Sequence, residues 1–300
     1  MAAARILPRS FKENLSMARE IARKRCIDTV MKSPAAVSAH DKSAWVSIFA
    51  DLSVVEDPVG SKPHLNGAFD ARSGRRGNGP LARFYDTFIA PNQIVFQVER
   101  DIVNSTHVVR DLTIEITMSP QVIVKVPMHL LYELRDEAGE VKIQRLAAHW
   151  ELLPMLKQLM SIGMPALTVG NRLGLRMFLN LGLGGIAGFM SGLRTVGDSG
   201  KQIVTQFADV LNRKDLPTMI DLFSGNNAGI DAPFAAVHYT PAELVQSAPF
   251  TLSVSKLLAS GFTVTATITT ETADGNKAGV GIFEFDAKNR RLHRVRLYWE

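Results

Sequence analysis

The chain has 300 residues, of which 46% are apolar and 21% charged, the balance of a folded globular protein with room for two cores. Its formal net charge of +5 is mild and partly local, in Arg72, Arg75 and Arg76; no basic stripe with interleaved aromatics runs along the chain, which sets nucleic-acid binding aside. The single cysteine, Cys26, excludes an internal disulfide framework and fits a reducing compartment. The N-terminal stretch MAAARILPRS lacks the long apolar run of a secretory signal, so the expected location is the cytoplasm.

In chain order, the pattern predicts a helix around Met17–Met31 and a second over Lys42–Phe49, with Asp41 as N-cap. Strand-like runs rich in Val, Ile and Thr follow at Gln93–Val98, His107–Met118, Gln121–Tyr132 and Glu140–Trp150. The same order returns later. Lys201–Asn212 and Leu216–Phe223 read as helices. Pro249–Ala259, Phe262–Thr272, Gly279–Asp286 and Arg291–Trp299 read as strands. Helices followed by a string of antiparallel strands predict an α+β fold, a curved sheet wrapped on helices into a cone whose mouth is a natural pocket.

The repetition extends to single residues. Asp41, Phe49 and Asp57 follow one another at intervals of eight, as do Asp215, Phe223 and Asp231. Each half closes on Trp-Glu, at Trp150-Glu151 and Trp299-Glu300. Coincidences in the same order point to an internal duplication. The expected layout is a first domain over 13–153, an apolar Gly-rich helical linker over 154–198 and a second domain over 199–300. The linker segment Phe178–Ser191 is too short to span a bilayer. It reads as a helix packed against both domains, as a peripheral lipid-facing helix, or as a disordered tether.

The segment Val55-Glu56-Asp57-Pro58-Val59-Gly60, with Ile48-Phe49-Ala50-Asp51 before it and Pro80-Leu81-Ala82-Arg83-Phe84-Tyr85 after it, resembles the bacterial ketosteroid isomerases of the nuclear transport factor 2-like superfamily. The resemblance covers most of the first domain apart from insertions near Ser33–Ala39 and His64–Arg76. It implies that Asp57 is the base that carries a proton between two carbons of an enolisable ketone. A carboxylate in an apolar pocket suits that chemistry, because desolvation raises its basicity. On residues alone, an Asp-Pro turn at a strand end remains the other reading of Asp57.

The family's oxyanion donors are a tyrosine and a protonated acid. In this chain Cys26 stands at the tyrosine's place, in Arg25-Cys26-Ile27, and a thiol is a weak donor. His129, in Val126-Pro127-Met128-His129, stands at the acid's place and can donate. Tyr85 matches a supporting tyrosine. The resemblance therefore gives Asp57, His129 and Tyr85 as catalytic residues, with Cys26, Phe49, Phe84 and Trp150 lining the ligand. His129 as an ordinary buried histidine, Tyr85 as a helix cap and Cys26 as a small core residue are the plainer readings. In the second half Asp231 keeps the base position, but Phe207 and Gly281 replace the donors, so that domain reads as a structural partner.

No Cys/His cluster has metal-ligand spacing, no Walker lysine follows Gly182-Leu183-Gly184-Gly185, and no nucleophile elbow occurs. Proton shuttling needs no cofactor, and none is implied. Three functions follow from the resemblance: an isomerase acting on a steroid-like or polycyclic ketone, a non-catalytic steroid or lipid binder, and a hydratase or cyclase on the same scaffold. The expected partners are a small hydrophobic ligand, a peripheral membrane contact through the linker, and the second domain as an internal pseudo-dimer mate.

Overall fold

A computed structural model describes residues 9–67, 69–70, 75–76, 79–225, 229–232, 237–273 and 275–300. Helix α1 (Arg9–Ser38) is longer than the apolar pattern suggested. The stretch near Ser33–Ala39 that reads as an insertion extends this helix through Pro34, which costs one backbone donor but not the helix. Helix α2 (Lys42–Ser47) starts where expected, with the Asp41 carboxylate accepting from the Ala44 amide at 2.8 Å. Strand β1 (Phe49–Glu56) follows, then the short strands β2 (His64–Leu65), β3 (Phe69–Asp70) and β4 (Arg75–Arg76). Helix α3 (Gly79–Phe84) runs into a π-helical turn at Tyr85–Ile89. Strands β5 (Gln93–Asn104), β6 (His107–Ser119), β7 (Val122–Glu137) and β8 (Glu140–His149) complete the first unit.

The sheet order is β2-β1-β8-β7-β6-β5, and β1 runs parallel to β8. The sheet is thus mixed rather than wholly antiparallel. Its parallel member is β1, which the Val/Ile/Thr pattern did not mark, because Asp51 and Ser53 interrupt the apolar run.

Helices α4 (Leu152–Ile162) and α5 (Met164–Met190) and a short 3-10 turn (Ser191–Leu193) occupy the linker. The run Met164–Leu193 is apolar and long enough to cross a membrane, and 6% of its most apolar 18-residue window is buried. Gly182, at φ 71° and ψ 179°, breaks it in two, a conformation that favours glycine.

The second unit repeats the first: helices α6 (Gly197–Arg213) and α7 (Leu216–Leu222), strands β9 (Gly229–Ala232) and β10 (Val237–Tyr239), helix α8 (Pro241–Ser247), then strands β11 (Phe250–Ser260), β12 (Thr263–Thr272), β13 (Gly275–Phe285) and β14 (Leu292–Trp299). Its order is β10-β9-β14-β13-β12-β11, with β9 parallel to β14. Asp215 caps α7 as Asp41 caps α2, accepting from the Thr218 amide. The molecule is α+β, built of two tandem sheets each wrapped on helices.

Each unit has its own apolar core between sheet and helices. A third cluster lies between the sheets, where Ile102, Val109, Leu131 and Ala147 meet Val280, Ile282 and Tyr298. Strand β7 records this contact. Its first half alternates, with Val122, Val124 and Val126 buried and Ile123, Lys125 and Pro127 exposed. From Met128 to Tyr132 every residue is buried, because the second sheet covers the outer face there.

A polar cluster joins the sheets. Lys256 Nζ donates to Asp111 Oδ1 at 2.5 Å and to the Leu112 carbonyl at 2.8 Å. Thr267 Oγ1 donates to Asp111 Oδ2 at 2.6 Å. Nearby, Gly60 and Gly261 meet backbone to backbone: a Cβ on Gly60 would lie 2.4 Å from Gly261 Cα, and both residues have positive φ. Ser260 Oγ donates to the Val59 carbonyl at 2.8 Å.

Candidate functional site

Within the first unit, α1, α2, α3 and the concave face of the sheet enclose an apolar cavity of about 180 Å³. The inward residues of β7, Val126, Met128, Leu130 and Tyr132, form one wall, and Ile114 and Ile116 of β6 continue it. The other side comes from Trp45, Phe84 and Phe88. The linker closes the mouth: Met155, Leu156 and Leu159 of α4 and Leu173 and Phe189 of α5 all line the space. Phe189 stacks on Phe88, with ring centroids 5.2 Å apart. Among the readings of the linker, a packed helical segment describes this inner face, while its outer face carries exposed Met160, Met164, Leu167, Leu175, Phe178 and Leu183.

Asp57 lies at the end of β1 and lines the cavity. Its Oδ1 accepts from Trp150 Nε1 at 2.6 Å. Burial pushes its carboxyl up to about 6, with the Trp150 bond pulling the other way. The following residues are fixed by the Val59 amide, which donates to the Ala148 carbonyl, and by the Gly60–Gly261 contact. A lone carboxylate with raised proton affinity in an apolar space can take and return a proton.

The other expected residues divide. Phe84 and Trp150 line the cavity beside Asp57. His129 does not. It sits on the outer face of β7, where Nδ1 is 2.8 Å from Thr265 Oγ1 and Nε2 is 3.1 Å from Thr267 Oγ1 of the second unit. Burial holds its pKa below the ordinary histidine value, against the pull of Asp111, so the ring is a neutral member of the polar cluster between the sheets. The expectation of His129 as a donor to the ligand is therefore corrected. Strand side chains alternate, and a one-residue offset moves a residue to the opposite face.

Tyr85 is buried beside Trp45, ring centroids 5.6 Å apart, and does not reach the cavity. Its hydroxyl makes no hydrogen bond among the described residues, and Asp41 and Asp86 lie near it. Burial, with those carboxylates, raises its pKa. Cys26 is a core residue whose thiol contacts the Ser105 carbonyl at 3.6 Å, and burial raises its pKa as well. Phe49 packs on Trp45 at 4.7 Å in the same core. Tyr85 is corrected from a catalytic residue, and Cys26 and Phe49 from ligand contacts, to supporting core.

The residue missed was Tyr132. It lines the cavity, with Ser33 and the Arg110 guanidinium against its hydroxyl. Burial raises its pKa, so it stays a protonated donor. Arg110 is itself buried and forks onto Asp101, Nε to Oδ1 at 2.7 Å and Nη2 to Oδ2 at 3.1 Å. The signal in the sequence was the alternation itself: Tyr132 has the parity of Met128 and Leu130, which His129 lacks.

In the second unit Asp231 is not set up in the same way. His238 Nδ1 lies 2.8 Å from its Oδ1, and Arg294 donates to Oδ2 from Nε at 2.7 Å. Burial works to raise its pKa, but these partners outweigh it and lower the value. Phe207, Phe223, Phe283 and Trp299 fill that unit's core. Gly281 is needed there, since a Cβ would lie 2.6 Å from the Phe283 ring.

No family model and no curated protein matches the chain. Solved structures match about one unit of it. The Delta 5-3-ketosteroid isomerase from Mycobacterium sp. is 29% identical at a TM-score of 0.35, with 42% of this chain and 92% of that chain covered. A Mycobacterium tuberculosis protein in complex with estradiol-17beta-hemisuccinate is 25% identical at 0.36, with 44% and 96% covered. An epoxide hydrolase from Mycobacterium tuberculosis is 19% identical at 0.37, with 49% and 98% covered. The chain is similar over about one unit to these ketosteroid isomerase and nuclear transport factor 2-like structures, and its own two units repeat one sheet order in tandem.

Proposed function

We propose that the first unit binds a steroid-like or other polycyclic apolar ketone and shifts a double bond in it by proton transfer through Asp57. The observation that carries this reading is a single carboxylate, pushed up to about 6 by burial, in a mainly apolar, aromatic-walled cavity. In the reaction, Asp57 removes a proton from the carbon beside the ketone, giving a dienolate, and returns it to the carbon at the far end of the conjugated system. The enolate oxygen needs a donor. Tyr132, with Ser33 beside it, is the hydroxyl donor that the cavity offers. The site residues are then Asp57 as base, Tyr132 as donor, and Phe84 and Trp150 as ligand walls.

The second unit acts in this reading as a fixed mate, an internal pseudo-dimer partner. It covers the outer face of the first sheet and holds the loop after Asp57. In this reading the domains run over 13–153 and 199–300, with 154–198 as a roof over the cavity. The exposed apolar face of that roof supports a peripheral contact with a lipid phase, from which an apolar ligand would reach the mouth. The buried free thiol of Cys26 fits a cytoplasmic protein.

The test is conversion of an unconjugated 3-oxo steroid to the conjugated enone, followed by ultraviolet absorbance. Turnover that is lost in Asp57→Asn supports the isomerase. Tight binding without turnover in the wild type supports the non-catalytic binder. Consumption of the substrate with gain of water or ring closure assigns the hydratase or cyclase chemistry.

A further inference from the structure

Beside the mouth of the cavity lies a second, smaller pocket of about 40 Å³, lined by Arg172, Arg176, Asn92 and three apolar residues. Asn92, Met118 and Leu173 line both spaces, so the two lie side by side and share a wall. Arg172 and Arg176 stand one helical turn apart on α5 and point to the same pocket. Neither makes a hydrogen bond or ion pair with another described residue, and no acidic residue occurs between Glu151 and Asp198 to neutralise them. Elsewhere in the first unit Arg110 pairs with Asp101, and Arg145 with Glu56 and Glu133. Two unpaired guanidiniums at the polar end of an apolar cavity are a place for an anion, and their planar forks suit a carboxylate, sulfate or phosphate. The small pocket has room for the oxygens of such a group and not for another ring.

We propose that the natural ligand is an anionic amphiphile, with its apolar body in the cavity beside Asp57 and its acidic group held between Arg172 and Arg176. This rests on the reading of the cavity as the ligand site and adds the chemical class of the ligand. Helix α5 then does more than roof the cavity. It fixes which end of the ligand enters first, because the acidic group stays at the mouth.

The probes are two dyes that differ by one sulfonate, 1-anilinonaphthalene-8-sulfonate and neutral N-phenyl-1-naphthylamine, titrated against the full chain without lipid and followed by fluorescence. The sulfonate dye is expected to bind about tenfold tighter at low salt, with the advantage shrinking as salt rises. In R172Q/R176Q, whose fold is checked by circular dichroism, the advantage should vanish while the neutral dye binds as before. Equal affinities in the wild type, or an undiminished preference in the double variant, would overturn the proposal. Ile116→Trp, which fills the cavity, should weaken both dyes; a sulfonate dye that still binds it sits on the outer helix face, which also overturns the proposal. If R172Q/R176Q loses flotation with anionic phosphatidylserine vesicles but keeps its dye preference, the two arginines serve a lipid surface instead. Failure of both dyes to bind the wild type would remove the cavity reading itself, and the proposal with it.

Discussion

Trp150 donates its indole N–H to Asp57 at 2.6 Å, and among the described residues no other hydrogen bond reaches that carboxylate. The residue that follows β8 therefore carries the group that restrains this carboxylate. Removing the donor in Trp150→Phe should raise the Asp57 pKa further, because the ionised form loses its one partner. A shift of roughly one to two pH units is expected for a charge-assisted bond. The carboxyl resonance of Asp57 in a nuclear magnetic resonance titration reads this directly, and an unchanged midpoint would show that the bond carries no weight.

The raised value also has a stability consequence. The Asp57 carboxyl goes from its ordinary 3.8 to about 6 on folding, so the fold holds the proton more tightly than the unfolded chain does. The cost of the buried carboxylate is absent below about pH 4, grows as pH rises through the window, and is complete above about 6. Asp57→Asn should therefore raise the melting temperature at pH 8 and leave it nearly unchanged at pH 4. If catalysis runs through this group, kcat/KM of the wild type should rise with pH around the same midpoint.

His129 and Asp111 belong to the contact between the units, which predicts a different phenotype. His129→Ala removes bonds to Thr265 and Thr267 and leaves a buried gap, at a cost of about 2–4 kcal/mol. Denaturant melts should show that loss while ligand affinity stays within about twofold, since the side chain is on the far face of the sheet. A large loss of affinity at unchanged stability would return His129 to the site.

The Gly60–Gly261 contact is expected to be intolerant. Gly60→Ala meets backbone at 2.4 Å and strains a φ of +91°. It should destabilise by about 2 kcal/mol or more. Gly261→Ala breaks the same contact, so the double variant should cost clearly less than the sum of the two. Additive losses in denaturant melts would mean that the loops are independent.

The outer face of the roof gives a further test. Serine at Leu175, Phe178 and Leu183, all exposed, should weaken flotation with lipid vesicles by at least about tenfold without changing the fold. An unaltered partition would assign that apolar face to something other than lipid.

Much of this architecture was legible in the chain. The Asp–Phe–Asp spacing marked the capped helix α2, the turn into β1 and its far end, and it did so in both units. Asp57 was found by its neighbours. What remained hidden depends on the partner surface. In β7 parity alone marks His129 as outward-facing; that this outward face is buried is decided by the covering sheet, which is contributed from far along the chain. Cys26 and Phe49 were drawn to the ligand by analogy, whereas the large indole of Trp45 lies against Phe49 and fills that side. The linker's apolar, Gly-rich helical character was visible, but which face closes the cavity is decided only when α4 and α5 fold back onto β7.

Strand β7 has one further implication, for how the protein can change over time. Its even-numbered positions from Val126 to Tyr132 line the cavity, and His129 and Leu131 between them touch the second unit. Neighbouring codons thus answer to different constraints. The cavity wall can drift through the even positions without loosening the tandem, and the seam between the halves can be retuned through the odd ones without reshaping the cavity. A duplicated copy that had lost its own site would still be kept, because half of this strand has no other mate.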